Sequence, residues 1–150
     1  MVLYRQQHGF SVIEFMILVA LLCVLAAIGV PNFIEMQYRA QRAEVPTNVD
    51  GIRIAALAYR AANGTVRSEV VPRPDATPGN RLRPWKAGTQ FDALGWKPEG
   101  QVRGSYTLTT THSGTFSVKG ICDVDANGKR ATFEAGSDGE VSRLTKSDVY

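Results

Sequence analysis

Residues 9–33 read GFSVIEFMILVALLCVLAAIGVPNF, and the 21 residues from Phe10 to Val30 carry a single charge, Glu14. A helix of that length rises roughly 31 Å at about 1.5 Å per residue, the thickness of a bilayer's hydrocarbon core. A secretory h-region would be shorter and would end in a small-residue cleavage site. The best candidate for such a site, Ala26-Ala27, is followed by more apolar residues. The segment therefore reads as a membrane span with Arg5 on its cytoplasmic side. Glu14 is the anomaly. A charged carboxylate costs about 3 kcal/mol inside a span, which marks a functional residue unless it snorkels to the interface or stays protonated.

The rest of the chain, about 120 of its 150 residues, is enough for one modest soluble core. A composition of 44% apolar and 21% charged residues argues against global disorder, and a formal charge of +3 is too mild to mark a nucleic-acid binder by itself. Cys23 lies in the apolar run and Cys122 far downstream. A thiol in lipid and one in water cannot reach the roughly 6 Å Cα separation of a disulfide, so both are expected unpaired. No Cys/His metal spacing and no nucleophile motif such as G-x-S-x-G is present, and His112 stands alone. The chain does not read as an enzyme.

Beyond the span, Pro31 cannot continue the helical hydrogen bonding, so a kink or local melting is expected near Gly29–Pro31. Val45, Val49, Ile52, Ala56 and Tyr59 then recur at helical spacing, with Arg39, Arg42, Asp50, Arg53 and Arg60 largely off that stripe. Pro46 predicts a second bend, with Asn48 available to cap a new turn, and Asn63-Gly64 a stop. Gly51, inside this helix, reads as a packing contact. Residues 65–104 lack periodicity and hold five prolines, with a short helix at Gln90–Leu94 and Trp85, Phe91, Leu94 and Trp96 as satellite core.

From Gly104 the period changes to two. Tyr106, Leu108 and Thr110 form one strand; Phe116, Val118, Gly120, Cys122 and Val124 form the next; Ala131, Phe133 and Ala135 continue the apolar face. Asn127-Gly128 predicts a tight type I′ hairpin that sets Cys122 opposite Phe133, Val124 opposite Ala131 and Asp125 opposite Arg130. Asp138-Gly139 marks another turn, followed by a short strand within Val141–Leu144. The expected fold is α+β: a long, bent N-terminal helix packed on an antiparallel sheet of three or four strands.

Two sharper patterns stand out in this region. Asp123, Asp125, Asn127, Gly128 and Glu134 fit the twelve-residue calcium-loop template, although strands rather than helices flank them and Arg130 takes its apolar position. The competing reading is a charged hairpin. Residues 66–120 hold eight basic side chains against four acidic ones, and residues 121–150 four against six. A basic face beside an acidic one could steer docking between subunits or bind DNA, and a solvated surface is the plain alternative.

The run Gly9-Phe10-Ser11-Val12-Ile13-Glu14, its apolar continuation and Pro31 together resemble the N-terminus of type IV prepilins and pseudopilins, over about residues 5–62. Ser11 replaces the commoner Thr, Phe15 the commoner Leu, and His8 a frequent basic residue. The resemblance implies a leader at 1–9 cut by a prepilin peptidase after Gly9, N-methylation of Phe10, and Glu14 as the filament-assembly residue. It implies a filament-core helix at 10–30, its amphipathic continuation at 31–64, a variable connection at 65–104 and a sheet at 105–150. The implied partners are the peptidase and methyltransferase, an inner-membrane assembly platform, the bilayer and other pilin-like subunits. The chain would lie in a bacterial inner membrane with its C-terminal domain periplasmic, then in a filament. Many major pilins staple their last loop with a disulfide, so its expected absence favours a minor pilin or pseudopilin. A surface-displayed adhesion or DNA-uptake module on the same helix is the alternative.

Overall fold

The computed structural model describes residues 9–75, 79–111 and 114–150. The leader residues Arg5 and His8, together with Pro78 and His112, lie outside the described residues. The chain divides into a unit ending at Gln37 and a second, the head, covering Tyr38–Tyr150.

Helix α1 spans Val12–Arg42 and buries none of its residues. It runs unbroken through Gly29 and Pro31, so the local melting expected there does not occur. A proline inside a helix removes one backbone hydrogen bond, which a long helix tolerates. The break falls instead at Ala43, before α2 (Glu44–Asn63). There Pro46 would have set its ring against the Arg42 carbonyl of a continuous helix; in the first turn of a new one its missing N–H has no partner to lose. Asn48 does not recap the turn. The N-cap position is Ala43, without a side-chain cap, and the Asn48 amide donates to the Tyr106 hydroxyl at 2.8 Å. The chain leaves α2 at Gly64, in the left-handed region at φ 80°, with its N–H on the Arg60 carbonyl.

The sheet is larger than expected. Strands β1 (Glu69–Arg73), β4 (Ser105–Thr110), β5 (Phe116–Cys122), β6 (Ala131–Gly136) and β7 (Ser142–Arg143) form five antiparallel strands in the order β1-β4-β5-β6-β7. A separate pair, β2 (Arg83–Pro84) with β3 (Gln101–Val102), lies in the connection, as does the expected short helix α3 (Gln90–Ala93). β1 is an edge strand carrying Pro72, a place where proline's missing donor is tolerated.

The tight hairpin at Asn127-Gly128 is not formed. Cys122 pairs with Ala131 and Gly120 with Phe133, two residues away from the expected register, and residues 123–130 make a longer loop. A shift of two leaves every side chain on its own face, so the apolar face survives the correction. Val45, Val49, Ile52 and Ala56 of α2 are fully buried against Tyr106, Leu108, Val118, Cys122 and Ala131 of the sheet, whereas Tyr59 is only half-buried. Two glycines make room for this seam. A Cβ on Gly120 would stand 2.6 Å from Val49 Cγ2 and 2.8 Å from Val45 Cγ1, and one on Gly104 would stand 2.8 Å from Tyr106 Oη. Trp85, Phe91, Leu94 and Trp96 do pack onto the core, Trp85 and Trp96 edge-to-face at 5.4 Å. Trp96 lies over Gly51, where a Cβ would come within 2.8 Å of its Nε1.

Candidate processing and assembly site

Gly9, Phe10 and Ser11 are outside any helix, and α1 begins at Val12. Ser11 is thus the N-cap residue, and Glu14 sits three positions on. Its carboxylate accepts the Ser11 backbone N–H at 2.8 Å, and the Phe15 N–H reaches the Ser11 carbonyl at 3.1 Å. This is one half of a capping box: an acidic side chain turned back onto the positive end of its own helix. The one carboxylate of the apolar run is therefore held next to the Phe10–Ser11 peptide. Hydrolysis of the Gly9–Phe10 bond would place an ammonium on Phe10, one residue before the amide that Glu14 holds. The bond lies in exposed, non-helical chain, with Phe10 69% exposed. A protease needs extended backbone, and none has to be unwound here.

The apolar side chains that follow are bare. Val12, Ile13, Phe15, Met16, Leu21, Leu22, Val24 and Leu25 are each more than half exposed. The helical stretch Val12–Asn63 contains a window of mean hydropathy 2.8, long and apolar enough to cross a membrane. So large an apolar surface has to be covered by lipid or by other apolar helices.

The calcium-template residues are used differently. Both Asp123 carboxylate oxygens accept backbone N–H groups, those of Asn127 and Gly128, each at 3.1 Å. The Asp125 carboxylate holds the Asn127 side-chain amide at 2.5 Å, and the Asn127 side chain accepts the Lys129 N–H at 2.7 Å. Partial burial, and then Asp123 beside it, push the Asp125 carboxyl above its ordinary value. Glu134 is apart from this loop, in β6, and accepts the Ser117 hydroxyl. Among the described residues no three His, Cys, Asp or Glu side chains converge as metal ligands. The string matches because Asp and Asn serve turns as well as cations, and here they satisfy amides of an irregular loop. Asp123→Ala should lower head stability by about 1 kcal/mol: it removes two hydrogen bonds from amides of an exposed loop, of which the Asn127 N–H keeps the Asp125 carboxylate at 3.4 Å. Thermal unfolding in a chelator and again in millimolar calcium should show the same loss in both, because the carboxylate's partners are amides.

Sequence reasoning missed the fastening of the C-terminal segment. The Arg42 guanidinium donates to the carbonyls of Val149 at 2.6 Å and Ser147 at 3.3 Å, and lies 4.9 Å from the centre of the Tyr150 ring. Arg39 reaches the Tyr150 hydroxyl at 3.5 Å, and Arg143 holds the Val149 carbonyl at 2.8 Å from the other side. Val124 donates its N–H to the Tyr150 carbonyl at 3.0 Å. Burial, and next the Arg143 charge, lower the Arg42 pKa from its ordinary value, which still leaves a guanidinium charged at neutral pH. Cys122 is buried and unpaired, as is Cys23 in α1 without the burial. Arginine-to-carbonyl bonds leave no spacing or charge pattern to read in a sequence.

No family model matches the chain, and no solved structure matches it. Curated proteins do. It is 41% identical over 54 residues, 36% of this chain and 24% of the other, to the type IV major pilin protein PilA of Myxococcus xanthus (strain DK1622). It is 28% identical over 141 residues, 92% of this chain and 74% of the other, to a fimbrial protein of Dichelobacter nodosus. The type IV major fimbrial protein FimA of the same organism is 28% identical over 138 residues, with the same coverage. The bare apolar run with its single carboxylate, the sheet packed on α2, and similarity to fimbrial proteins along nearly the whole chain make this protein similar to type IV pilins.

Proposed function

We propose that the chain is made as a precursor, cut between Gly9 and Phe10, methylated on Phe10, and assembled through α1 as a structural subunit of a type IV pilus. The observation that carries this reading is α1 itself, a helix with no buried residue, in whose apolar run the one carboxylate, Glu14, is tied to the turn beside the cut. In lipid its surface is matched before assembly; in a filament, copies of the same helix match it. The Glu14 carboxylate of one subunit then meets the Phe10 ammonium of another. A paired buried charge is tolerable where a lone one is costly, so the pair sets axial register more than it adds stability. The partners follow: a prepilin peptidase with methyltransferase activity, an inner-membrane platform, and further pilin-like subunits.

A minor-pilin or pseudopilin role was expected from a missing disulfide. The arginine fastening of the last residues supplies another way to hold them, and the relatives carry the names of major pilins and fimbrial proteins. Both points favour a pilus fibre subunit. The test is made in a bacterium with its own pilus machinery, by mass spectrometry of the chain in membranes and in sheared fibres. A chain beginning at methylated Phe10 is expected in the fibres. Gly9→Leu should block access to the scissile bond and leave the full precursor in the membrane. A Gly9→Leu chain that still begins at methylated Phe10 would overturn the processing assignment.

A further inference from the structure

Two exposed surfaces of the head lie towards opposite edges of its sheet and are complementary, and a contact between them rests on the proposed role as a filament subunit. At the β1 edge, Val70 and Val71 are 67% and 52% exposed, and Leu82, just before β2, is 45% exposed. Ser105 joins these parts, donating its hydroxyl to the Pro74 carbonyl after β1 and accepting from the Arg83 guanidinium of β2. Arg67, Arg81 and Lys86 are exposed along the same stretch. Other arginines nearby are committed inside the head: Arg73 to Glu69 at 3.5 Å, and Arg83 to the carbonyls of Arg103 and Gly104.

Towards the other edge, the chain between β6 and β7 meets α2 in an open groove of about 470 Å³, lined by Pro46, Thr47, Asp50, Arg53, Glu140 and Val141. Arg53 is paired to Asp50 at 2.8 Å, which leaves Glu140 as the groove's net charge, with Asp138 exposed in the same turn. One surface is basic and aliphatic; the other is acidic with aliphatic walls. Exposed valine and leucine among the basic residues suit a protein partner, whereas single-stranded nucleic acid would call for aromatic stacking platforms.

We propose that the β1–β2 edge of one copy docks into the β6–β7 groove of a second copy, with Arg81 facing Glu140, Lys86 adding to the positive charge beside it, and Leu82 covering Val141 and Pro46. A contact between two different patches of one chain is heterologous and propagates into an open helical array instead of closing a dimer. Charge reversal reads this out in the full chain, in its host, as the amount recovered in sheared fibres. Glu140→Lys alone, and Arg81→Glu with Lys86→Glu, should each lower recovery at least about tenfold, since like charges then face each other. The processed chain in membranes should stay at its normal level. All three substitutions together should restore most of the recovery. Glu140→Cys combined with Arg81→Cys should give an oxidation-dependent ladder of multimers in fibres that neither single cysteine gives. Unchanged recovery in the reversed variants, no rescue by the triple variant, or no ladder would each overturn the contact. So would loss of salt-sensitive binding to a DNA duplex on reversing Arg81 and Lys86 while fibre recovery holds. Absence of the unmodified chain from fibres would instead overturn the filament reading itself.

Discussion

Replacing Gly120 by valine is expected to leave the head without a stable fold. Even the Cβ shared by every other residue would stand 2.6 Å from Val49 Cγ2 and 2.8 Å from Val45 Cγ1, both on fully buried side chains of α2. Neither can swing away, because each is enclosed between helix and sheet. Gly120→Ala therefore needs α2 to lift off β5, at about 3 kcal/mol, the upper end for one added methyl group, and valine needs more. Against a total stability of roughly 5–15 kcal/mol for a small domain, that moves alanine towards marginal folding and valine beyond it. Tryptophan fluorescence of the detergent-solubilised chain in rising urea checks this through Trp85 and Trp96, both packed on the core. Gly139→Ala, in the exposed turn after β6 with nothing within 4 Å of its Cβ position, should leave the midpoint unchanged.

Glu14→Ala should separate processing from assembly. The scissile Gly9–Phe10 bond is not touched, and what the precursor loses is the hydrogen bond from the Ser11 N–H. Loss of a helix cap costs about 1 kcal/mol, little for a long apolar helix already held in lipid. The heavier penalty comes later. On the proposed processing and assembly, the cleaved chain would carry an ammonium on Phe10 into the apolar interior of the filament with no carboxylate to meet it, at several kcal/mol. The unpaired ammonium outweighs the lost cap, so the variant should appear in membranes at normal mature mass and be nearly absent from sheared fibres. Normal incorporation of Glu14→Ala would rule out the pairing while leaving the proposed filament role standing.

Most of the fold was legible because hydrophobic period reports burial directly. The spacing of Val45, Val49, Ile52 and Ala56 marked the face of α2, and alternation from Tyr106 to Ala135 marked the inner face of β4, β5 and β6. What escaped is local chemistry that period does not report. β1 is short, runs into Pro72 and buries only Glu69, so it carries no alternating pattern. The turn after β5 was misplaced because Asn127-Gly128 signals a hairpin, while Asp123, four residues back, captures the amides of both and opens the loop. Proline positions were legible as breaks, but not which of them breaks. Pro46 does so because a new helix can start there, and Pro31 does not because α1 continues on both sides. At the candidate site, the single carboxylate in the apolar run was visible at once. Its attachment to Ser11 in the same chain is a matter of three-dimensional reach.

The way the last residues are held also bears on how the protein matures. Arg42 and Arg143 secure Ser147 and Val149 through bonds that form as the chain folds, without any oxidant. Cys122, close by, is sealed in the core, and burial pushes its thiol up to about 12, so almost no thiolate exists at neutral pH to exchange with a disulfide. The head's folding is thereby uncoupled from the redox state of its compartment. It needs no thiol oxidase or isomerase to finish, and a reducing environment leaves the fastening of its C-terminal segment intact.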